Sequence, residues 1–216
     1  MKRILITIIT SLSMISYVNA AEIGMGVSMN FADVDTSGTE TLRQSGKLSS
    51  TTHSTSVSVP EVFVEIIGDL GSLGVAYVPA QEMGKKTRND SNAKGDTGAY
   101  TAKAEVDAHV AAYVDANVYN FAGQQLYVKG GVAHATIVTK EALNGGSTYT
   151  DQDVWGYTYG AGLKGAIPFV GGDNYYYKAE YTLTDYDEYV HTNDVANKIK
   201  AETEIESMKI SIGYKF

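Results

Sequence analysis

The chain has 216 residues, with 17 Lys and Arg against 25 Asp and Glu, a net charge of -8, and no cysteine. The acidic excess without a basic patch excludes a phosphate-tracking surface, and so nucleic acid as a partner, while the missing cysteines exclude a disulfide framework and a thiol nucleophile. Twenty-two Gly, 16 Tyr and only three Pro suit one domain of many strands rather than a helical protein.

Residues 1–20 read as a secretory signal: Lys2 and Arg3, then an apolar run, then Val18-Asn19-Ala20 as a small-residue cleavage box. The domain expected after cleavage is 21–216, in which 15 basic residues face 25 acidic ones, a net charge of -10. Nothing downstream offers about 20 consecutive apolar residues, so no transmembrane helix is predicted.

Glu22 to Ala32 alternates Ile23, Met25, Val27, Met29 and Phe31 with Glu22, Gly24, Gly26, Ser28 and Asn30, the period of a strand. A polar connection is predicted over 33–53. In Ser54 to Ile67, Val57 and Val59 fall on one phase but Val62, Val64 and Ile66 on the other, so a bulge is expected at Pro60-Glu61. After a turn at 68–72, Leu73 to Met83 is a third strand and 84–98 a second polar connection.

The longest alternation runs from Tyr100 to Tyr119. Its even positions are all Ala and Val after Tyr100, while its odd positions carry Lys103, Glu105, Asp107, His109, Asp115 and Asn117. This period-two pattern overrides the helix preference of alanine and predicts a strand with lipid on one side and a polar interior on the other. A long strand of a soluble sandwich is the competing reading.

After a turn at 120–125, a fifth strand starts with Leu126, Val128, Gly130 and Val132 outward, although Ala133 to Thr139 keeps no clear phase and His134 has no obvious place. Connection 140–153 leads to strand six at 155–167. The turn at 168–174 leads to strand seven at 175–184, with Tyr175, Tyr177, Ala179, Tyr181 and Leu183 outward. Connection 185–198 leads to a last strand with Met208, Ile210, Ile212, Tyr214 and Phe216 facing lipid.

Eight strands with connections of 21, 15, 14 and 14 residues alternating with turns of 5, 6 and 7 predict a closed, antiparallel, up-and-down transmembrane β-barrel, all-β, with both termini on the periplasmic rim. A soluble sandwich gives no reason for that alternation. Phe121, Phe169, Tyr175, Tyr214 and Phe216 fall near the short-turn rim as an interfacial girdle.

Gly156 to Lys164, Tyr177 to Asp187 and the terminal Ile212-Gly213-Tyr214-Lys215-Phe216 resemble the small eight-stranded outer-membrane barrels, a family that includes the transmembrane domain of outer-membrane protein A, outer-membrane protein X and the opacity proteins. The resemblance implies localisation in a bacterial outer membrane and an assembly signal at Tyr214 and Phe216 read by the outer-membrane assembly machinery. It specifies architecture rather than activity.

Gly160-Ala161-Gly162-Leu163-Lys164-Gly165 fits G-x-G-x-x-G, but these glycines lie inside a strand, where they make room for neighbouring side chains, and no helix follows. Asp33-Val34-Asp35-Thr36-Ser37-Gly38 mimics a calcium loop, yet Gln44 stands where a bidentate Glu is needed. Asp185, Asp187, Glu188 and Asp194 read as solvated acids. His53, His109, His134 and His191 show no local triad signature. No catalytic residue, cofactor or metal site is therefore expected.

Inward charges are predicted at Glu61, Glu65, Lys103, Glu105, Asp107, Asp115, Lys129, Lys164, Lys178, Glu180 and Lys209, as an ion-pair network plugging the lumen. The expected function is a monomeric, non-enzymatic outer-membrane protein displaying four surface loops for envelope integrity or for contact with an extracellular ligand. A narrow porin-like channel and a membrane-embedded lipid-modifying enzyme are the alternatives.

Overall fold

The computed structural model describes residues 21–41, 46, 48–91, 97–142, 151–167, 174–192 and 198–216; the predicted signal at 1–20 and Phe169 lie outside the described residues. Alternating sequence becomes ten strands: β1 Glu22–Thr41, β2 Leu48–Gly68, β3 Gly71–Val78, β4 Gln81–Ser91, β5 Thr97–Phe121, β6 Gln124–Ala142, β7 Gln152–Ala166, β8 Tyr175–Tyr186, β9 Tyr189–Thr192 and β10 Lys198–Lys215. All pair antiparallel, and β1 also pairs with β10, which closes the sheet.

The ten strands form eight staves. β4 continues the stave of β3 along the same edge of β5 after an interruption at Pro79-Ala80, and β9 continues β8 along β10. The expected closed eight-stranded barrel is what the chain forms. Closure matters because it alone satisfies every backbone N–H and C=O in a region without water.

The outer face explains the solvent. Ile23, Met25, Val27, Met29 and Phe31 of β1 are 42 to 60% exposed, and Ile210 and Ile212 on β10 and Val62 and Val64 on β2 continue the same belt. So large a contiguous apolar surface is not left to water by a soluble monomer, and the nine residues from Ile23 to Phe31 match the roughly 9 to 11 that a tilted strand needs to cross a bilayer. Below the belt, Tyr175, Tyr214 and Phe216 form an aromatic chain with centroids 4.9 and 5.0 Å apart, and Tyr119 stacks on Phe121.

The short rim is tighter than expected. The turn after β5 contains only Ala122 and Gly123, with φ of 48° and 80°. Positive φ at both central residues matches the right-handed twist of the flanking strands, which ordinary turns would splay.

Several expectations are corrected. The connections at 33–53 and 84–98 are largely strand: β1 and β2 remain paired as far as Thr41 and Leu48, and β4 and β5 as far as Ser91 and Thr97. β9 likewise occupies part of 185–198. A polar strand read as a loop is the consequence of water bathing its outer face.

There is no bulge at Pro60-Glu61. β2 keeps one register against β1 from Ile67 to Leu48, with Pro60 opposite Met29 on the outside. Val57 and Val59 therefore point into the barrel, not toward lipid. A proline is tolerated there without a shift in register because the pleat, not its N–H, sets the phase.

The register does shift between Asp107 and Val110 on β5, against β6. His109 and Val106 both face the interior as a result, and Asp107 is exposed on the outside. Asp107 is thus not part of the lumen network.

Candidate functional site: the sealed lumen and the chamber above it

Inside the belt, the barrel interior holds a compact charge cluster. Lys178 of β8 lies with its ammonium 2.6 Å from Asp115 Oδ2 of β5 and 3.0 Å from Glu65 Oε2 of β2. Lys129 of β6 pairs with Glu180 and lies 3.5 Å from Asp115 Oδ1. Five side chains from four staves are thereby tied together, and all are almost wholly buried.

Neutral donors complete the cluster. The Tyr176 hydroxyl donates to Glu65 Oε1 at 2.8 Å, the Tyr113 hydroxyl to Oε2 at 3.0 Å, and Ser72 bridges Glu65 and Asp115 at 3.1 and 3.2 Å. Lys129 sits 3.8 Å over the Tyr113 ring and Lys164 lies 5.3 Å from that of Tyr127. Three carboxylates thus meet three lysines, so the layer carries no net charge, which is the condition under which buried ions are tolerated.

Small residues make the space. A Cβ on Gly74 would stand 2.5 Å from the Tyr113 ring, and one on Gly162 would stand 2.5 Å from Cζ of Tyr127. Gly162, the middle glycine of the G-x-G-x-x-G run, is thus a packing residue inside β7.

One level higher, Lys209 of β10 holds Glu61 of β2 through both carboxylate oxygens, at 2.8 and 2.7 Å. Of the predicted lumen residues, Glu61, Glu65, Asp115, Lys129, Lys164, Lys178, Glu180 and Lys209 all lie inward, in these two layers. The side chains of Lys103 and Glu105 lie outside those described. Sequence reasoning missed Tyr113, Tyr127, Tyr176 and Ser72, although each of the three tyrosines sits on the same phase as an inward charge of its own strand; β3, which carries Ser72, has no charge to mark its inner face.

The charge layers separate two cavities. Below lies one of about 300 Å³, bordered by Glu65, Lys164, Tyr176 and the Ala122-Gly123 turn region. Above lies one of about 400 Å³, with Glu61 and Lys209 at its floor. The two are lined by different residues, and the cluster of Lys178, Asp115 and Lys129 lines neither.

The upper chamber reverses the polarity of the belt. Ala32 and Val34, Val57 and Val59, Ala133 and Ala135, Val154 and Ile205 point inward, while Asp33 and Asp35, Ser56 and Ser58, Asp153, Glu204 and Glu206 face out. Ala133, Ala135, Val154 and Tyr186 pack as an apolar cluster of their own. His134 belongs to the outside: its ring lies 4.7 Å from that of Trp155, beside Asp153.

No protein-family model and no curated protein matches the sequence. Solved structures do. Neisserial surface protein A aligns with a TM-score of 0.54 at 10% identity, covering 92% of this chain and 100% of that one. The outer membrane protein OprG from Pseudomonas aeruginosa aligns at 0.51 with 17% identity, covering 89% and 95%. With its lipid belt, closed sheet and polar lower lumen, the chain is a transmembrane β-barrel with the fold of bacterial outer-membrane barrels. Within that class it has the fold of the small eight-stranded barrels; identities this low speak to the fold alone.

Proposed function

We propose that this barrel is a non-enzymatic stalk that displays four surface loops for envelope integrity or contact with other molecules or cells. The observation that carries the reading is the ion-pair layer of Lys178, Asp115, Glu65, Lys129 and Glu180 across the lumen, which the buried Lys164 brings to neutrality. A plugged stave cylinder is rigid and offers no continuous water column, which weighs against a channel. The paired extensions of β1 with β2 and of β4 with β5 support the same reading, because they lift the hairpin ends about ten residues, or roughly 20 to 25 Å at a tilt near 45°, above the belt.

Catalysis finds little support. The His134–Asp153 contact has Thr136 beside it, but the threonine hydroxyl donates to Asp153 rather than to the imidazole. A nucleophile bonded to its base is the arrangement that hydrolysis requires. Lipid and the assembly machinery are the partners that this reading implies, the latter through Tyr214 and Phe216.

The test is complementation of a deletion strain with the whole chain or with a barrel whose four surface segments are replaced by short Gly-Ser links. The trimmed barrel should reach the membrane and fail to restore surface attachment or detergent resistance. Full restoration by the trimmed barrel, or large steady conductance of the purified protein in planar bilayers, would overturn the proposal.

A further inference from the structure

We infer that the upper chamber is a binding site for one small neutral amphiphile, a hydrocarbon body carrying a hydroxyl group. Packed cores leave few voids larger than a water molecule, yet this largely apolar interior leaves an open-mouthed pocket of about 400 Å³. That volume lies within the range of small-molecule sites, and an eight-stranded barrel is wide enough either to be filled by its own side chains or to hold one small ligand. The charge layers take the first course and the upper half the second.

The lining sets the chemistry. Val57, Val59, Val78, Ala135, Ile137 and Val154, with His109 of β5 among them, favour apolar contents. On β7, β8, β10 and β1 the lining is mixed: Thr158, Thr182, Thr184, Ser207 and Asn30 stand beside Tyr186, Ile205, Ala32 and Val34, with Asn30 and Ser207 nearest the floor. Thr158 and Thr184 bond to each other at 2.8 Å. Asn30 Oδ1 and Ser207 Oγ, both on residues more than nine-tenths buried, have no partner among the described residues.

These two atoms lie on adjacent staves near the floor: Asn30 is opposite Lys209, and Ala32 is opposite Ser207. An acceptor and a hydroxyl side by side match a hydroxyl on the ligand, with the hydrocarbon rising along the valine wall. Net charge on the ligand is disfavoured because Glu61 and Lys209 already neutralise each other at the floor. The charge layers beneath make the chamber a dead end, so it retains its ligand rather than passing it to the periplasm.

The experiment uses the full barrel in lipid nanodiscs, titrated with 1-naphthol and followed by the probe's fluorescence, with empty nanodiscs as the blank. Saturable one-to-one binding above the blank is expected. Val57→Trp and Ala135→Phe, which fill the chamber, should each abolish it, while Val62→Phe on the lipid face should not. Ser207→Ala should weaken 1-naphthol about threefold to tenfold, the range of one hydrogen bond, and leave naphthalene binding unchanged. Folding of every variant is checked by its heat-dependent gel shift, and the two chamber fillings are independent of each other. Binding no greater than to empty nanodiscs, or binding that survives in a folded chamber-filling variant, would overturn the site. Equal weakening of both probes by Ser207→Ala would overturn the hydroxyl assignment.

Discussion

The lower and upper halves of this barrel share their eight staves, yet they are turned inside out relative to each other. Along β1, Ile23 to Phe31 face lipid while Ser28 and Asn30 face in; two residues on, Asp33 and Asp35 face out while Ala32 and Val34 face in. β2 repeats the exchange, with Val62 and Val64 outside below Pro60 and Val57 and Val59 inside above it. On β1 and β2 the backbone does not change; the solvent does. Where the exterior is hydrocarbon the polar groups go inside, and where it is water the apolar groups do, as in a soluble barrel.

The sharpest break in the comparison comes from the lower half. Replacing Lys178 with Ala strands Glu65 and Asp115 without their shared cation in a fully buried layer, at a cost of about 3 to 5 kcal/mol. Urea unfolding in detergent micelles should report that loss, and the triple change Lys178→Met with Glu65→Gln and Asp115→Asn should recover most of it. Equal stability of the single variant and the parent would mean that the layer is not closed by this lysine.

The next contrast uses two outward positions six residues apart on β1. Val27 lies at the middle of the belt, so Val27→Lys should cost about 2 to 4 kcal/mol. Asp33→Lys, above the belt, should cost nothing measurable, since Asp33 stands opposite Glu206 on β10. Similar losses at both positions would show that the belt extends higher than the inversion allows.

Much of this was readable from alternation alone: the eight staves, the lipid face, and the inward charges at Glu65, Asp115, Lys129, Lys178 and Glu180. Alternation reports that two faces differ but not which of them is inside. The switch of phase between Val57 and Val59 and Val62 and Val64 therefore reads as a bulge at Pro60, when it is the surrounding medium that changes. Asp107 was misplaced for a different reason, because the true register shift at Asp107 to Val110 lies in a run of Ala, Val and His that shows no break. Polar stretches such as 48–53 and 85–91 resembled loops because a strand whose outer face is in water needs no apolar residue there. The pairing of Tyr113, Tyr176 and Ser72 with Glu65 depends on which staves become neighbours, which alternation does not encode.

At the lower rim, Phe216 is 68% exposed and its N–H donates to the Ile23 carbonyl at 2.9 Å, joining the last strand to the first. Deleting it should lower refolded stability by about 1 kcal/mol, through partial apolar contact. Insertion in cells should fall much further if the assembly machinery reads the terminal aromatic. Parallel small losses in both assays would leave it a girdle residue only.

The smallest effect belongs to the outer face of the upper half. Glu204 stands between Asp35 on β1 and Asp185 on β8, all three exposed. Like charges directly across a ladder repel, so Glu204→Gln should stabilise the extension by about 0.2 to 1 kcal/mol at low salt. The gain should vanish near molar salt, where screening removes the repulsion.

The inversion itself is tested most directly by spin labels at successive positions of β2, from 54 to 66, which the absence of native cysteine permits. Power saturation with oxygen and with a water-soluble nickel chelate reads lipid and water exposure at each site. Labels at 62, 64 and 66 should be oxygen-accessible, labels at 54, 56 and 58 nickel-accessible, and labels at 57, 59, 61, 63 and 65 shielded from both. High oxygen accessibility at 57 and 59, with 56 and 58 shielded, would contradict the continuous register and the inside-out upper chamber together.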